Sequence, residues 1–185
     1  MSASIDQYAE VAGQEVVDQL RQLAAPLRGM RVVNVNSARR GGGVAQILER
    51  LVPLMGDLGI DARWEVVTGD LAFFQCTKAL HNALQGNPVA VSRTMLDAYE
   101  RTNAHNAEAL RDVLEPADVV FVHDPQPAPL LALLPDRKGR WIWRCHVDAS
   151  HPHRPVWKYL RDFVALYDAS VFSLLHGGTD RIMLG

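Results

Sequence analysis

The chain has 185 residues, 48% hydrophobic and 22% charged, with 19 Lys and Arg against 21 Asp and Glu for a formal net charge of −2. At ~150 residues per domain this predicts one globular domain, long enough to bury a core without staples. It excludes a disordered or collagen-like chain, and it lacks the basic excess that general nucleic-acid binding needs.

Segments of two periods alternate along the chain. Val16, Val17, Leu20, Leu23 and Leu27 recur at helical spacing, so 14–27 is predicted as an amphipathic helix closed by Pro26 and Gly29. RVVNVN at 31–36 is short and β-branched and predicts a strand. Val44, Ile47, Leu48, Leu51, Leu54, Met55 and Leu58 then repeat at helical spacing up to Gly59, and 60–68 alternates as a second strand. Helices are expected at 71–84 and 92–114, a third strand at 118–123, and a short helix at 130–134 after the prolines at 125, 127 and 129. A fourth strand at 141–145, a helix at 155–167 and a fifth strand at 169–174 complete the pattern.

Strands alternating with helices predict an α/β fold, a Rossmann-like parallel sheet with helices on both faces. The expected layout is a helical lead-in over 1–29, the α/β domain over 30–173 and a divergent tail over 174–185. No apolar run approaches the ~20 residues of a membrane span. The N-terminus has no secretory pattern. Cys76 and Cys145 make no disulfide framework and read as reduced thiols in a cytoplasmic protein.

Parallel sheets of this kind bind ligands at the carboxyl ends of their strands. Four polar or glycine-rich stretches fall there. The first is NSARRGGG at 36–43, where Gly41, Gly42 and Gly43 allow close backbone approach to a ligand and Arg39 and Arg40 add positive charge. It fits neither the Walker A pattern nor GxGxxG, and a flexible turn is the alternative. The second is VHDPQP at 122–127, which suits polar ligand recognition, unless Asp124 merely caps the next turn. The third is WRCHVD at 143–148, followed by His151 and His153. A polar hydrogen-bonding His146 in a cleft fits it better than a metal site, since no CxxC or HExxH spacing is present. His151 and His153 are expected on the loop surface. The fourth joins FFQCTK at 73–78 to HNALQGN at 81–87, aromatics mixed with Lys78, His81, Asn82 and Gln85. Such a mixture can read a sugar, or can equally be core aromatics beside a solvated helix face.

Taken in order, VNS with GGGVA, LVPL, LGI with ARW, FF with TK, HNALQG, HDPQP and WRCH with Asp148 resemble one family. It is the trehalose glycosyltransferring synthase of glycosyltransferase family four, and the resemblance covers nearly all of 8–173. It implies a GT-B fold, two Rossmann-like domains facing across a cleft, of which this chain corresponds to the N-terminal, acceptor-side half. It further implies a retaining transfer of glucose from a nucleoside diphosphate glucose to glucose, giving α,α-trehalose. The N-terminal half of a related trehalose phosphorylase, or an inactive sugar-binding module, are the alternatives.

Carried over by position, His146 is expected to touch the transferring glucose. Lys78, His81, Asn82, Gln85, Asp124 and Gln126 are expected on the acceptor side, with Trp64 near or under it. Arg40, Gly41, Gly42 and Gly43 are expected at the donor phosphate and sugar. Arg39 stands where the family loop usually has a small residue or Pro. The implied partners are glucose, trehalose and UDP- or ADP-glucose, the absent C-terminal nucleotide-binding domain and a possible homodimer, with no nucleic acid and no membrane. No metal and no cofactor beyond the nucleotide-sugar co-substrate are expected.

Overall fold

A computed structural model of the chain describes residues 4–173 and 181–184. Its centre is a six-stranded sheet of order β2-β1-β3-β4-β5-β6. The strands are β1 (Arg31–Asn36), β2 (Asp61–Val66), β3 (Val119–His123), β4 (Arg140–Cys145), β5 (Ala169–Phe172) and β6 (Arg181–Leu184). The first five are parallel, and β6 pairs antiparallel with β5. The five predicted strands all form. The sixth falls in the stretch expected to be a divergent tail, and the rest of that tail lies outside the described residues.

The helices are α1 (Ala9–Ala12), α2 (Gln14–Ala24), α3 (Gly43–Asp57), α4 (Leu71–Leu84), α5 (Arg93–Leu114), α6 (Leu130–Leu133) and α7 (Arg154–Val164). The predicted helix at 14–27 is α-helical only to Ala24 and tightens into a 3-10 turn over Ala25–Leu27. Pro26 has no N–H to extend the α-helical ladder there. Two starts carry side-chain caps: Asp70 accepts from Phe73 N at 2.8 Å, and Ser92 from Met95 N at 3.3 Å. The start of α3 carries none; its N-cap is Gly42.

Alternation along the strands sorts the two sheet faces. Val33 and Val35 of β1, Val120 and Val122 of β3, and Trp141, Trp143 and Cys145 of β4 join one buried cluster. Phe73, Leu80 and Leu84 of α4, Tyr99 and Leu114 of α5, and Leu160 of α7 cover it. The intervening residues Asn34, Phe121, His123 and Arg144 lie on the opposite face. This puts polar side chains on one face of the strand ends, over a fully apolar layer on the other.

One half-buried ion pair closes the amino-terminal end of β4. Asp168 accepts from Arg137 at 2.6 Å and from the Trp141 backbone N–H at 2.7 Å. Burial raises the Asp168 carboxyl, but the hydrogen bonds from Arg137, Trp141 and Arg140 win and hold it below its ordinary value. Asp168→Ala is expected to lower unfolding free energy by about 1–3 kcal/mol, because it strands the Trp141 N–H and the Arg137 charge. Because the folded carboxyl ionises more readily than the unfolded one, its contribution is complete above the unfolded value and disappears as pH falls through the folded one. Urea unfolding of the wild type and the variant at neutral and acid pH measures both effects.

Candidate functional site

An open cavity of about 670 Å³ lies at the carboxyl ends of the strands, large enough for a small-molecule ligand. Most of its wall comes from three places. The loop after β1 and the start of α3 supply Ser37, Ala38, Gly41, Gly42 and Gly43. The end of α4 supplies His81 and Gln85, and the turns after β3 and β4 supply His123, Asp124, Gln126, His146 and Asp148.

Each wall is held by identifiable contacts. Gly41 and Gly42 sit at φ 76° and 87°, a region glycine enters without strain, and this lets the loop turn into α3 with backbone alone facing the cavity. The first half of the loop is stapled to the sheet edge. Arg39 lies 4.3 Å above the Trp64 ring and donates to the Trp64 carbonyl at 2.8 Å. Trp64 Nε1 donates to Asn36 Oδ1 at 2.8 Å. Trp64 is thus the platform for Arg39, and it does not line the cavity where the acceptor side was expected.

The turn after β3 is fixed through its backbone carbonyls. Trp143 Nε1 donates to Asp124 O at 2.9 Å, the Tyr99 hydroxyl to Pro125 O and Asn103 Nδ2 to Gln126 O at 3.1 Å. Asp124 has φ 63°, a left-handed conformation rare outside glycine, Asn and Asp, which marks a backbone constrained by its surroundings. That conformation turns its carboxylate onto the backbone N–H of His146 at 2.7 Å. Burial raises the Asp124 carboxyl, against the lowering effects of the His146 N–H and of the His146, His81 and Arg144 side chains. His146 and Asp124 are therefore tied together through that hydrogen bond.

Behind His146 lies a residue absent from the expected contact set. His123 Nδ1 is 2.9 Å from His146 Nε2, and His123 Nε2 is 3.1 Å from Asn34 Oδ1. Burial pushes His123 down to about 3, reinforced by His146 and Arg144. HDPQP therefore opens on a neutral imidazole rather than a charged histidine. His123 was visible in that motif, but its partners are 23 and 89 residues away, and no local spacing signals them.

The cavity gathers His146, Asp124, Gln126, His81, Gln85 and Gly41–Gly43. Lys78, Asn82 and Arg40 do not line it; Lys78 and Arg40 are exposed and Asn82 is half-buried on α4. The loop after β4 closes on the end of α4, where His153 N donates to Ala83 O at 2.8 Å. Gly86, at φ 92°, leaves room there, since a Cβ would meet His151 O at 2.8 Å. Cys145 is buried, its thiol pushed up to about 12 chiefly by burial, and it is no thiolate nucleophile at neutral pH. Among the described residues no three His, Cys, Asp or Glu side chains converge as a metal site would require. No described helix is long and apolar enough to cross a membrane.

The five parallel strands of the sheet, with a ligand-sized cavity at their carboxyl edge, form a Rossmann-like α/β domain, as one half of a GT-B glycosyltransferase does. Residues 34–176 match the family described as trehalose synthase, N-terminal domain, and the chain belongs to that family. It is 46% identical over 171 residues to a trehalose synthase of Thermococcus litoralis and equally to one of Pyrococcus furiosus. Each alignment covers 92% of this chain and 41% of the relative. A trehalose synthase of Rubrobacter xylanophilus is 43% identical over 173 residues, covering 90% of this chain and 41% of the relative. The chain thus spans about two fifths of the length of these relatives.

Among solved structures, an alpha,alpha-trehalose-phosphate synthase (UDP-forming) from Burkholderia vietnamiensis superposes with a TM-score of 0.55 at 19% identity, covering 76% of this chain and 39% of that one. An alpha,alpha-trehalose 6-phosphate synthase from Burkholderia multivorans gives 0.53 at 20% identity, covering 77% and 40%. At those identities the likeness is one of fold.

Proposed function

We propose that the chain is the acceptor-side domain of a retaining glucosyltransferase that makes α,α-trehalose from a nucleoside diphosphate glucose and glucose. The observation that carries this reading is the cavity itself, where a glycine loop, two amide side chains and His146 converge at the strand ends. Amides and imidazoles read sugar hydroxyls, and bare backbone at a helix start suits a phosphate oxygen.

In the proposed reaction the anomeric hydroxyl oxygen of the acceptor bonds to C1 of the donor glucose as the bond from C1 to the diphosphate oxygen breaks. The acceptor proton passes to the leaving diphosphate, so trehalose and a nucleoside diphosphate result and no enzyme nucleophile is used. The protein's part is placement and charge stabilisation. His81, Gln85 and Gln126 hold acceptor hydroxyls. Asp124 sets the position of His146 through its backbone N–H, and His146 faces the transferring sugar. Gly41, Gly42 and Gly43 approach the donor. No metal is needed, and a second domain supplies the side chains for the diphosphate. A nucleotide-sugar substrate and two buried free thiols suit the cytoplasm.

On this reading the 185 residues bind sugar without turning it over. Titration of the 15N-labelled chain with glucose is expected to shift the Gln85, Gln126 and His146 signals at millimolar concentration, equivalent to about −4 kcal/mol. Lys78 and Arg40 signals are expected to stay in place. The same sample with UDP- or ADP-glucose and glucose is expected to yield no trehalose by chromatography. Unmoved cavity signals in saturating glucose would overturn the acceptor assignment, and trehalose above background would overturn the need for a second domain.

A further inference from the structure

Asn34, His123 and His146 form a hydrogen-bonded line from the middle of β1, across β3, to the cavity. The links are 3.1 Å and 2.9 Å, and the two imidazole rings lie 5.1 Å apart and tilted by 28°. Asn34 is 2% exposed and His123 5%, so the Asn34–His123 link is shut away from water, while the His123–His146 link opens onto the cavity.

Each link needs one hydrogen and one lone pair. Asn34 Oδ1 can only accept, so His123 Nε2 carries the hydrogen between them. A neutral imidazole has one N–H, so His123 Nδ1 is bare and accepts. His146 Nε2 must then donate. This direction is the one that tolerates both charge states of His146, because an imidazolium carries hydrogens on both nitrogens and cannot face a second N–H. The opposite direction, with the Asn34 amide nitrogen turned to the ring, would put a His123 Nδ1–H against His146 Nε2 and forbid the cation.

We infer that Asn34 and His123 are positioning residues that hold a proton on His146 Nε2. The inference rests on the reading of His146 as the group that faces the transferring sugar. A ring locked in this way keeps its orientation as charge develops beside it, where a ring free to exchange tautomers would not. His123 is suited to the part because burial keeps it neutral through the range in which an ordinary histidine titrates. Among the described residues, the charged or titratable groups around the pair include Asp124 after β3, Arg144 on β4, His81 on α4 and Asp148 in the loop beyond β4.

Long-range 1H–15N correlation spectra of the 15N-labelled chain, with signals assigned by single-histidine variants, read the tautomer of each ring directly. The expected result is a protonated Nε2 and bare Nδ1 on His123 from about pH 5 to 8, and a scalar coupling between His146 Nε2 and His123 Nδ1. Asn34→Ala is expected to mix the His123 tautomers and reduce that coupling at least twofold. Asn34→Asp, which keeps the accepting oxygen, is expected to restore it at alkaline pH, where the ring stays neutral beside the added carboxylate. A proton on His123 Nδ1, or no coupling in the wild type, overturns the inference, and the wild-type spectra decide this even if Asn34→Ala does not fold. Full coupling in a folded Asn34→Ala protein removes Asn34 from the line. Glucose added to the same sample separates the underlying reading: His146 signals that move support it, and signals that do not move overturn it while the tautomer result stands.

Discussion

Trp143→Ala is expected to lower the unfolding free energy by about 3–5 kcal/mol, the range for emptying a fully buried aromatic site. Trp143 is inaccessible to solvent, packs edge-on against Phe172 at 5.6 Å and lies tilted against Trp157 at 6.4 Å. Its loss removes that packing and strands the carbonyl of Asp124, which accepts the indole N–H. Because Asp124 is held at φ 63°, the turn that presents its carboxylate to His146 loses a restraint at its most constrained residue. Trp143→Phe keeps most of the ring contacts and gives up the hydrogen bond, with an expected loss of about 1–3 kcal/mol. Denaturant unfolding ranks the two variants. The glucose titration should show the alanine variant weakened in sugar affinity even under conditions where it stays folded. Full affinity in a folded Trp143→Ala protein would mean that the turn is positioned by Tyr99 and Asn103 without the indole.

The second large effect is an acid sensitivity traceable to one imidazole. Unfolded, His123 binds a proton near pH 6.5; folded, it resists doing so until about 3. Stability from this residue is complete above pH 6.5 and falls as pH drops toward 3, because the unfolded state alone takes up the proton in that window. The slope is about 1.4 kcal/mol per pH unit, so about 2–3 kcal/mol is lost between about pH 6.5 and 4.5. Asp124 acts in the opposite sense. Its carboxyl is raised in the fold, so it contributes stability at low pH that is lost as pH rises through its folded value. Comparing wild type with His123→Gln therefore isolates the histidine. The variant is expected to show a flatter loss of stability across that same acid window, and parallel curves would exclude His123 as the source.

Much of the sheet was legible in sequence because its signals are local. RVVNVN and VVFVH are short β-branched runs between turn residues, and both are central strands. LAFFQCTKALHNAL begins behind a capping Asp70 and forms the helix its spacing predicts. The boundaries that moved did so for nameable reasons, as with Pro26 ending the α-helical ladder of α2. Strand β6, only four residues long, lies in the stretch expected to diverge.

The site was legible as motifs but not as contacts. HDPQP, WRCH and HNALQG do converge on one cavity, with Gly41–Gly43 beside them. Within those motifs sequence could not say which residues face inward. Lys78 and His81 are three apart on α4, yet only His81 lines the cavity. Arg39 and Trp64 come from different elements, and their stacking depends on β1 and β2 being neighbours. The Asn34–His123 bond likewise exists only because β1 lies beside β3.

The neighbour order of the strands also sets a schedule for synthesis. β1 can pair with β2 once Val66 has been made, through the single crossover that contains α3. Its other edge waits for Val119, roughly fifty residues later, since β3 pairs there. At ~5–20 residues per second the ribosome leaves that edge open for on the order of 3–10 s. During that interval Val32, Val33 and Val35 belong to a strand with one unsatisfied ladder of N–H and C=O groups, the kind of edge that pairs with another nascent copy. Slowing translation between β2 and β3 should therefore lower the soluble yield more than an equal delay after β4.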